Sequence, residues 1–361
     1  MSRWIKAFNA LLLLGLGLSV SGCALDGQMS TLDPDGPVAA MQLQTFMVSL
    51  WVSVIIFIVV GGLFAYCLVK FRAPMEIPKD TPLPNQGHGD PLFEIGVIFI
   101  SIILVGIVAI PAVRGVFFMG NLPEEQKEAM VIKVYGLQWW WKFEYPEGFT
   151  SANELAMPLG KAVKFELNAP DVIHSFWIPR LGGKVDVMPG QTNWLWLQGD
   201  KEGVYYGQCA EFCGESHAFM RFRVRVLSQA KYDEWVQNQR NIAVDTHAPK
   251  QMSNDQCYTC HTIRGVPGAV GMVGPDLTHV GSRSSVAAGV LDNEIPDAKT
   301  NQITNPDTKG DRTYNNLYQW ISSPGYFKPG NTMYKAGYQA MHIKMTQDDA
   351  ATIAEYLSRL K

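Results

Sequence analysis

Two cysteines, a histidine and a methionine lie within a twelve-residue stretch of this 361-residue chain, and all four side chains can bind metal ions. Cys209 and Cys213 are four residues apart, His217 follows four residues later, and Met220 comes three residues after that. A second histidine, His174, lies upstream in the segment Ala-Pro-Asp-Val-Ile-His-Ser-Phe-Trp-Ile-Pro. Thiolate and thioether sulfurs favour copper, whereas imidazole suits copper or zinc. Five ligands exceed the four of a structural zinc site, and they fit two copper ions bridged by two thiolates.

Two other interpretations of this motif are open. The cysteines could form a disulfide bond in an oxidising compartment, which would leave both histidines and Met220 without a role. A structural zinc site would leave Met220 unexplained, because a thioether is not among the usual zinc ligands. The full set of side chains therefore favours the copper pair.

A second redox motif lies in the last third of the chain. The pentapeptide Cys257-Tyr-Thr-Cys260-His261 is an attachment sequence for a c-type haem, in which two thiols bind the porphyrin and the histidine is an axial ligand. A redox-active dithiol is the alternative, since so short a motif also occurs by chance. The segment Gly274-Pro-Asp-Leu resembles the c-type cytochrome loop whose proline carbonyl supports the axial histidine. We expect one covalent haem c here.

The second axial ligand of this haem is expected to be a methionine. Met333, Met341 and Met345 are the candidates. The segment Lys-Pro-Gly-Asn-Thr-Met333 resembles the methionine-ligand loop of class I cytochromes c, and Met345 is too close to a final helix that Thr346 begins. We therefore expect Met333 to be the ligand, with Met341 as the alternative.

Two apolar segments precede both motifs. They run over about 46–70 and 91–113, and each is long enough to cross a bilayer as a helix. We predict a transmembrane hairpin over 40–114, and Lys70 and Arg72 mark its cytoplasmic side. Two buried core helices are the alternative, but the chain has no large soluble domain before this point to surround them.

The amino terminus has the pattern of an export signal. Within residues 1–22, positive residues precede an apolar run, and Val20-Ser-Gly-Cys23 resembles a bacterial lipoprotein cleavage site. Cys23 is then the expected lipidated residue, and an uncleaved signal or an ordinary buried cysteine is the alternative. The signal and the two spans predict a multi-pass protein of the bacterial inner membrane, with everything after residue 114 on the periplasmic face.

The remaining chain divides into a β-rich and a helical part. Residues 126–228 contain short segments rich in β-branched and aromatic residues, separated by Gly and Pro, which indicate a β-sandwich or barrel. Residues 229–249 are polar and are predicted to form a linker with a short helix. Residues 250–361 have the size of a small domain. The net charge of −3 gives no indication of nucleic-acid binding, and hydrolase or nucleotide-binding motifs are absent from the sequence.

The copper motif and the His174 segment together resemble the CuA site of subunit II of cytochrome c oxidases. The resemblance implies a multidomain membrane protein: a two-helix hairpin, a cupredoxin domain with an all-β Greek-key barrel, and a fused all-α cytochrome c domain. It also implies a set of CuA ligands: His174, Cys209, Cys213, His217, Met220 and the backbone carbonyl of Glu211. The side chain of Glu211 is expected to bind a magnesium ion shared with subunit I.

The resemblance assigns roles to two further residues. Trp139, in Gln-Trp-Trp-Trp, is expected to be an exposed aromatic where electrons enter the copper domain; packing is the alternative role. Glu94, near the cytoplasmic start of the second span, is expected at the entrance of a proton pathway into subunit I, and a carboxylate that reaches headgroup water is the alternative.

The expected function is that of subunit II of a proton-translocating respiratory complex. Electrons from cytochrome c or another donor would reach the haem c, then CuA, then the oxygen-reducing site of subunit I. Subunit III is a further expected partner, and membrane lipid is expected around the spans. A small, transient contact is expected between the tethered haem domain and the copper domain. A nitrous oxide reductase type protein would need a larger catalytic domain. A copper-delivery protein would not need the haem, and a quinol oxidase subunit would be expected to lack the copper ligands.

Overall fold

The computed structural model describes residues 27–72, 89–294 and 309–361, together with single positions at 15, 82 and 87. The expected lipidation site Cys23, and all of the expected signal segment except residue 15, lie outside the described residues. Two units are present, one formed by residues 40–122 and the other by the residues on either side of them.

The helices differ greatly in length, and the two longest are α1 and α2. In chain order they are α1 Pro37–Lys70, α2 Pro91–Met119, α3 Gln229–Arg240, α4 Lys250–Asn254, α5 Cys257–Cys260, α6 Lys309–Ser322, α7 Pro324–Phe327 and α8 Gln347–Arg359. The segment Met333–Gln339 is a π-helix, and 3-10 turns occur at Glu124–Gln126, His217–Phe219 and Val280–Ser282.

Twelve short strands fall between α2 and α6 among the described residues. They are β1 Met130–Leu137, β2 Trp140–Glu144, β3 Thr150–Ala152, β4 Glu154–Pro158, β5 Val163–Asn168, β6 His174–Trp177, β7 Val185–Val187, β8 Asn193–Leu197, β9 Gly203–Cys209, β10 Arg221–Leu227, β11 Ser285–Val286 and β12 Leu291–Asp292.

Helices α1 and α2 are both long and apolar enough to cross a membrane. The start of α1 lies beside the end of α2, where Gln42 Nε2 donates to Met119 Sδ at 3.3 Å. Helix α2 runs through Pro111 to Met119 and so continues six residues beyond the predicted end of the second span at residue 113. A proline is tolerated inside a membrane helix because neighbouring groups satisfy the carbonyl that it leaves unpaired.

The β-rich domain consists of two five-stranded sheets. Their strand orders are β3-β2-β1-β5-β8 and β4-β10-β9-β6-β7, with parallel pairs between β1 and β5 and between β4 and β10. The short segments rich in β-branched and aromatic residues include strands β1, β5, β8 and β10. Alternate residues face inward, and the aromatic core includes Trp141, Phe176 and Phe222, each with an exposed fraction of zero. The predicted β-sandwich or barrel is thus confirmed as a β-rich, two-sheet domain.

The segment predicted as a linker is bonded to the domains on both sides. Helix α3 packs on the β-rich domain through Trp235, whose ring centroid lies 5.2 Å from that of Tyr145. Beyond it, Ala243 N donates to the carbonyl of Arg264, and Asp245 O accepts from Tyr356 Oη at 2.8 Å. These contacts leave little of 229–249 free to act as a flexible tether.

The carboxyl-terminal part is mostly helical and has its own apolar core. Helix α8 begins at Thr346, whose hydroxyl accepts from the backbone amide of Asp349 at 3.1 Å. Ile353, Tyr356 and Leu357 lie buried on one face of this helix. His279 is buried between the backbone carbonyls of Asn241 and Lys361.

Candidate metal and haem centres

Strand pairing brings the two halves of the copper motif together. Strand β6 begins at His174 and pairs with β9, which ends at Cys209. The cysteine loop is closed by a hydrogen bond from Cys209 N to the carbonyl of Met220 at 2.9 Å, and Ala210 N bonds to the carbonyl of Ser175 at 3.0 Å. The ligands from two distant parts of the sequence therefore meet at one end of the second sheet.

The side chains of the motif surround the two sulfurs of Cys209 and Cys213. These sulfurs lie 3.8 Å apart, too far for the S–S bond of about 2.05 Å in a disulfide. His174 Nδ1 lies 3.9 Å from the sulfur of Cys209, and His217 Nδ1 lies 3.5 Å from that of Cys213. Met220 Sδ is 3.8 Å from the Cys213 sulfur. One imidazole stands beside each thiol, as a bridged pair of metal ions requires.

The electrostatics of this cluster favour cations. A hydrogen bond from the Cys213 thiol lowers the pKa of Cys209 to about 3, although burial opposes this shift. The same contact raises the pKa of Cys213, because a second thiolate would stand beside the first. A cation between the sulfurs would remove that repulsion, and both thiols could then act as thiolate ligands. The donor set thus fits copper.

The imidazole of His174 is oriented by residues outside the motif. Its Nε2 bonds to Asp171 Oδ1 at 2.9 Å, which leaves Nδ1 facing the sulfurs. Burial alone would lower the pKa of His174, but the hydrogen bonds to Asp171 and Cys209 raise it overall. Gly136 makes room for the ring, since a Cβ there would lie 2.8 Å from His174 Cδ2. Sequence reasoning missed Asp171, although its position three residues before His174 was a usable signal.

The remaining copper-loop residue is Glu211. Its backbone carbonyl lies 3.2 Å from the Cys209 sulfur, beside the expected ligands. Its side chain is exposed. Within the described residues, the single cluster of three or more metal-binding His, Cys, Asp or Glu side chains is His174, Cys209 and Cys213. Glu211 would therefore need a partner chain to complete a magnesium site.

Trp139 is buried rather than exposed, which differs from the expectation for this residue. Only 7% of its surface is accessible. Its indole Nε1 donates to the backbone carbonyl of Cys213 at 2.9 Å, and Gln138 Nε2 donates to the same oxygen at 2.7 Å. The indole thus lies directly against the copper loop.

The haem motif opens onto a cavity. Its empty volume is about 1400 Å³, which includes open solvent at its mouth. The lining includes the four residues expected to hold the haem, Cys257, Cys260, His261 and Met333, as well as the other two methionines, Met341 and Met345. Trp139 and Lys328 also line it, so the cavity reaches the tryptophan of the copper loop. The donor set and the space fit a covalent haem.

His261 is prepared to bind a metal through one nitrogen. Its Nδ1 bonds to the carbonyl of Pro275 at 2.8 Å, the contact expected from the Gly-Pro-Asp-Leu segment, and Nε2 is left for a ligand. Burial lowers the pKa of His261, which favours the neutral imidazole that metal binding requires. Gly274 permits this packing, because a Cβ there would lie 2.6 Å from His261 Cε1.

The haem-ligand loop, residues 328–333, packs onto the copper loop, residues 209–220. Lys328 Nζ donates to the backbone carbonyl of Trp139, and Ser216 Oγ donates to the carbonyl of Pro329 at 2.6 Å. Gly330 has a φ of +78°, and a Cβ there would lie 3.0 Å from the Trp139 ring. This loop covers the indole that was expected to be exposed.

A second contact joins the two domains through charged residues. Arg225 of β10 binds Glu154 and, at 2.5 Å, Glu294. Arg223 binds Asp292 at 2.5 Å. The glutamates are 8% and 9% exposed. The residues on the helical side lie on or beside the β11–β12 hairpin. A small, transient domain contact was expected; in the structure these ion pairs add to the contacts that Lys328 and Pro329 make with the β-rich domain.

Glu94 lies in the first turn of α2. Asp90 caps this helix, and its Oδ1 accepts from Leu92 N at 2.9 Å. A carboxylate in the first turn of a helix is stabilised by the helix dipole. Helix stabilisation is therefore an explanation for Glu94 at this position, alongside the expected role in a proton pathway.

Comparisons with known proteins place these observations in a family. The family model described as "Cytochrome C oxidase subunit II, periplasmic domain" matches residues 149–227, which include all the expected copper ligands. A cytochrome c oxidase subunit 2 from Alkalihalophilus pseudofirmus is 35% identical over 374 residues, covering 100% of this chain and 99% of the relative.

Two further similarities were found. A quinol oxidase subunit 2 from Bacillus anthracis is 33% identical over 77% of this chain and 94% of its own length. Among solved structures, the periplasmic domain of subunit II of cytochrome oxidase from Bradyrhizobium japonicum is 34% identical; the match covers 31% of this chain and 93% of that one, with a TM-score of 0.30.

Proposed function

Because the chain belongs to the cytochrome c oxidase subunit 2 family, we propose that it receives electrons at a covalent haem c and passes them to a binuclear CuA centre. The protein is a subunit of a haem-copper terminal oxidase, and subunit I carries the oxygen reduction. Its membrane helices and β-rich periplasmic domain fit this role.

The observation that carries the copper proposal is the pairing of one imidazole with each of two close thiols. His174 stands beside Cys209 and His217 beside Cys213, with Met220 and the Glu211 carbonyl completing the set. A bridged copper pair would supply one-electron transfer in which two metals share the added charge. This complete set also favours a cytochrome c oxidase over a quinol oxidase, although two relatives bear the latter name.

The haem proposal is supported by a single cavity that holds every expected ligand. Cys257 and Cys260 would carry the porphyrin, and His261 and Met333 would be the axial ligands. A c-type haem would supply one-electron acceptance from cytochrome c or another donor. Trp139 lines the same cavity and is bonded to Cys213, so its side chain lies between the two centres.

The other expected features remain part of the proposal. Glu211 would contribute to a magnesium site shared with subunit I, and Glu94 to proton uptake in a proton-translocating complex that also contains subunit III. Cys23 would carry a lipid anchor at the bacterial inner membrane. The cytochrome c domain would share the periplasmic face with the copper domain.

Metal analysis of the purified oxidase tests the proposed function. We expect two copper ions in this subunit beyond those of subunit I, and one covalent haem c. In Cys209→Ser, both the copper content and the electron paramagnetic resonance signal of the pair should be lost, while Cys67→Ser, which changes an exposed thiol in α1, should keep both. If the isolated copper domain binds one zinc and no copper when offered both metals, the copper assignment is wrong.

A further inference from the structure

Lys328 is a buried cation whose position the proposed ligand roles do not explain. Its side chain is 3% exposed, and within the described residues it has no carboxylate at ion-pair distance. Burial lowers the pKa of Lys328 to about 7. Burying an ammonium group in this way costs stability, which makes a purely packing role a poor explanation.

The hydrogen bonds of Lys328 connect the two ligand loops. Its ammonium donates to the carbonyl of Trp139, whose indole donates to the carbonyl of Cys213 at 2.9 Å. On the other side, Asn331 Nδ2 donates to the carbonyl of Lys328 at 2.6 Å, and Asn331 Oδ1 accepts from Tyr334 N at 2.9 Å. Tyr334 is the residue after Met333, so the path reaches the haem-ligand helix.

The neighbouring residues hold the same segment in place. Ser216, which has no exposed surface, donates to the carbonyl of Pro329. Gly330 brings the backbone against the Trp139 ring, where a side chain would collide with it and with Glu215. Each of the three consecutive residues 328–330 therefore contacts either the copper loop or Trp139.

We propose that the Lys328–Gly330 segment is a positioning element for electron transfer between the haem and the copper pair, with the Lys328 ammonium as its anchor. The inference rests on the proposed function. The segment fixes the Trp139 indole on the Cys213 carbonyl and sets the separation of the two ligand loops. No bond is made or broken by Lys328.

The test is made in the assembled oxidase with Lys328→Met, which keeps an unbranched chain and removes the donor. The haem is reduced by a light-activated small molecule, and electron arrival at the copper pair is followed by absorption. We expect the transfer rate to fall by between about tenfold and a hundredfold, since a displacement of about 1 Å can cost a positioned reaction about 10²-fold. Lys328→Arg should recover a large part of the loss.

Lys335→Met is the matched control. Lys335 comes from the same domain and binds Glu215 of the same copper loop at 3.1 Å, but both side chains are more than half exposed. The Lys335→Met variant should transfer electrons from the haem to the copper pair at the wild-type rate. Amide hydrogen exchange supplies a readout other than activity: exchange in the peptide containing Trp139 should become faster in Lys328→Met and stay unchanged in Lys335→Met.

The outcomes separate this inference from the proposed function. If the wild-type protein itself shows no transfer from haem to copper, the proposed function fails. If the wild type transfers and Lys328→Met does so at the same rate with both centres intact, the positioning role is overturned. If Lys328→Met does not assemble both centres, Ser216→Ala carries the test: a slower rate supports the positioning element, and a wild-type rate overturns it.

Discussion

His174 and His261 are oriented by the same type of contact, which is a hydrogen bond to the ring nitrogen that faces away from the expected metal position. For His174 the partner is the Asp171 carboxylate, and for His261 it is the carbonyl of Pro275. Such partners fix the tautomer and the direction of the ligand atom. The Pro275 contact could be predicted because it lies in a recognisable segment, whereas the Asp171 contact depends on how a loop folds.

The methionine ligand is the residue-scale assignment that most needs a measurement. Met333→Ala should remove the sulfur-to-iron absorption band and lower the haem reduction potential, because thioether ligation raises it. Met341→Ala is the matched control, since Met341 lines the same cavity. An unchanged band in Met333→Ala together with its loss in Met341→Ala would transfer the assignment to Met341.

Among the secondary-structure elements, the β11–β12 hairpin is one that the sequence did not predict. Strands β1, β5, β8 and β10 could be predicted because their alternating patterns are local. The hairpin has only two residues in each strand, and its partners Arg223 and Arg225 lie more than sixty positions away in the chain. No periodic pattern in the sequence indicates a pairing over such a distance, so sequence analysis could not predict this hairpin or its contacts.

The buried charges of this contact give a stability prediction. Arg225→Met leaves Glu154 and Glu294 without their shared partner, and breaking a buried pair in this way costs about 3–5 kcal/mol. Because the Arg225 side chain is 20% exposed, we expect a loss near 3 kcal/mol. The measurement is the unfolding midpoint of the periplasmic part, with domain separation followed by limited proteolysis.

The control for that experiment is an exposed ion pair. Lys231 binds Glu202 at 2.8 Å, with side chains that are 62% and 32% exposed. Lys231→Met should cost only about 0–1 kcal/mol. Equal losses in the two variants would show that the hairpin contact does not hold the domains together.

Helix α2 offers a second test, on the role of Glu94. Glu94→Gln keeps the shape of the side chain and removes its charge, and we expect slower turnover and slower proton uptake. Asp90→Asn removes a charge from the same helix end while keeping an N-cap acceptor, so it should leave both rates unchanged. If Glu94→Gln behaves like the wild type, only the helix-dipole explanation remains.

For the whole molecule, the β-rich domain and the carboxyl-terminal helical domain belong to one compact unit. We therefore predict that transfer from haem to copper occurs within one chain, at a rate that does not change when the enzyme is diluted. Reducing the haem with a small-molecule donor should support oxygen consumption without added cytochrome c. A rate that falls in proportion to dilution would mean that electrons pass between molecules.

The close fit of Gly330 against Trp139 and Glu215 also restricts how this protein can evolve. A β-carbon at residue 330 would lie 3.0 Å from the Trp139 ring, and the φ of +78° already disfavours any residue with a side chain there, so a larger residue would need the indole to shift. We therefore expect substitutions at residue 330 and around the Trp139 indole to arise together. We expect a haem domain from another family member to dock correctly only if the surface around Trp139, which its haem-ligand loop covers, is exchanged with it.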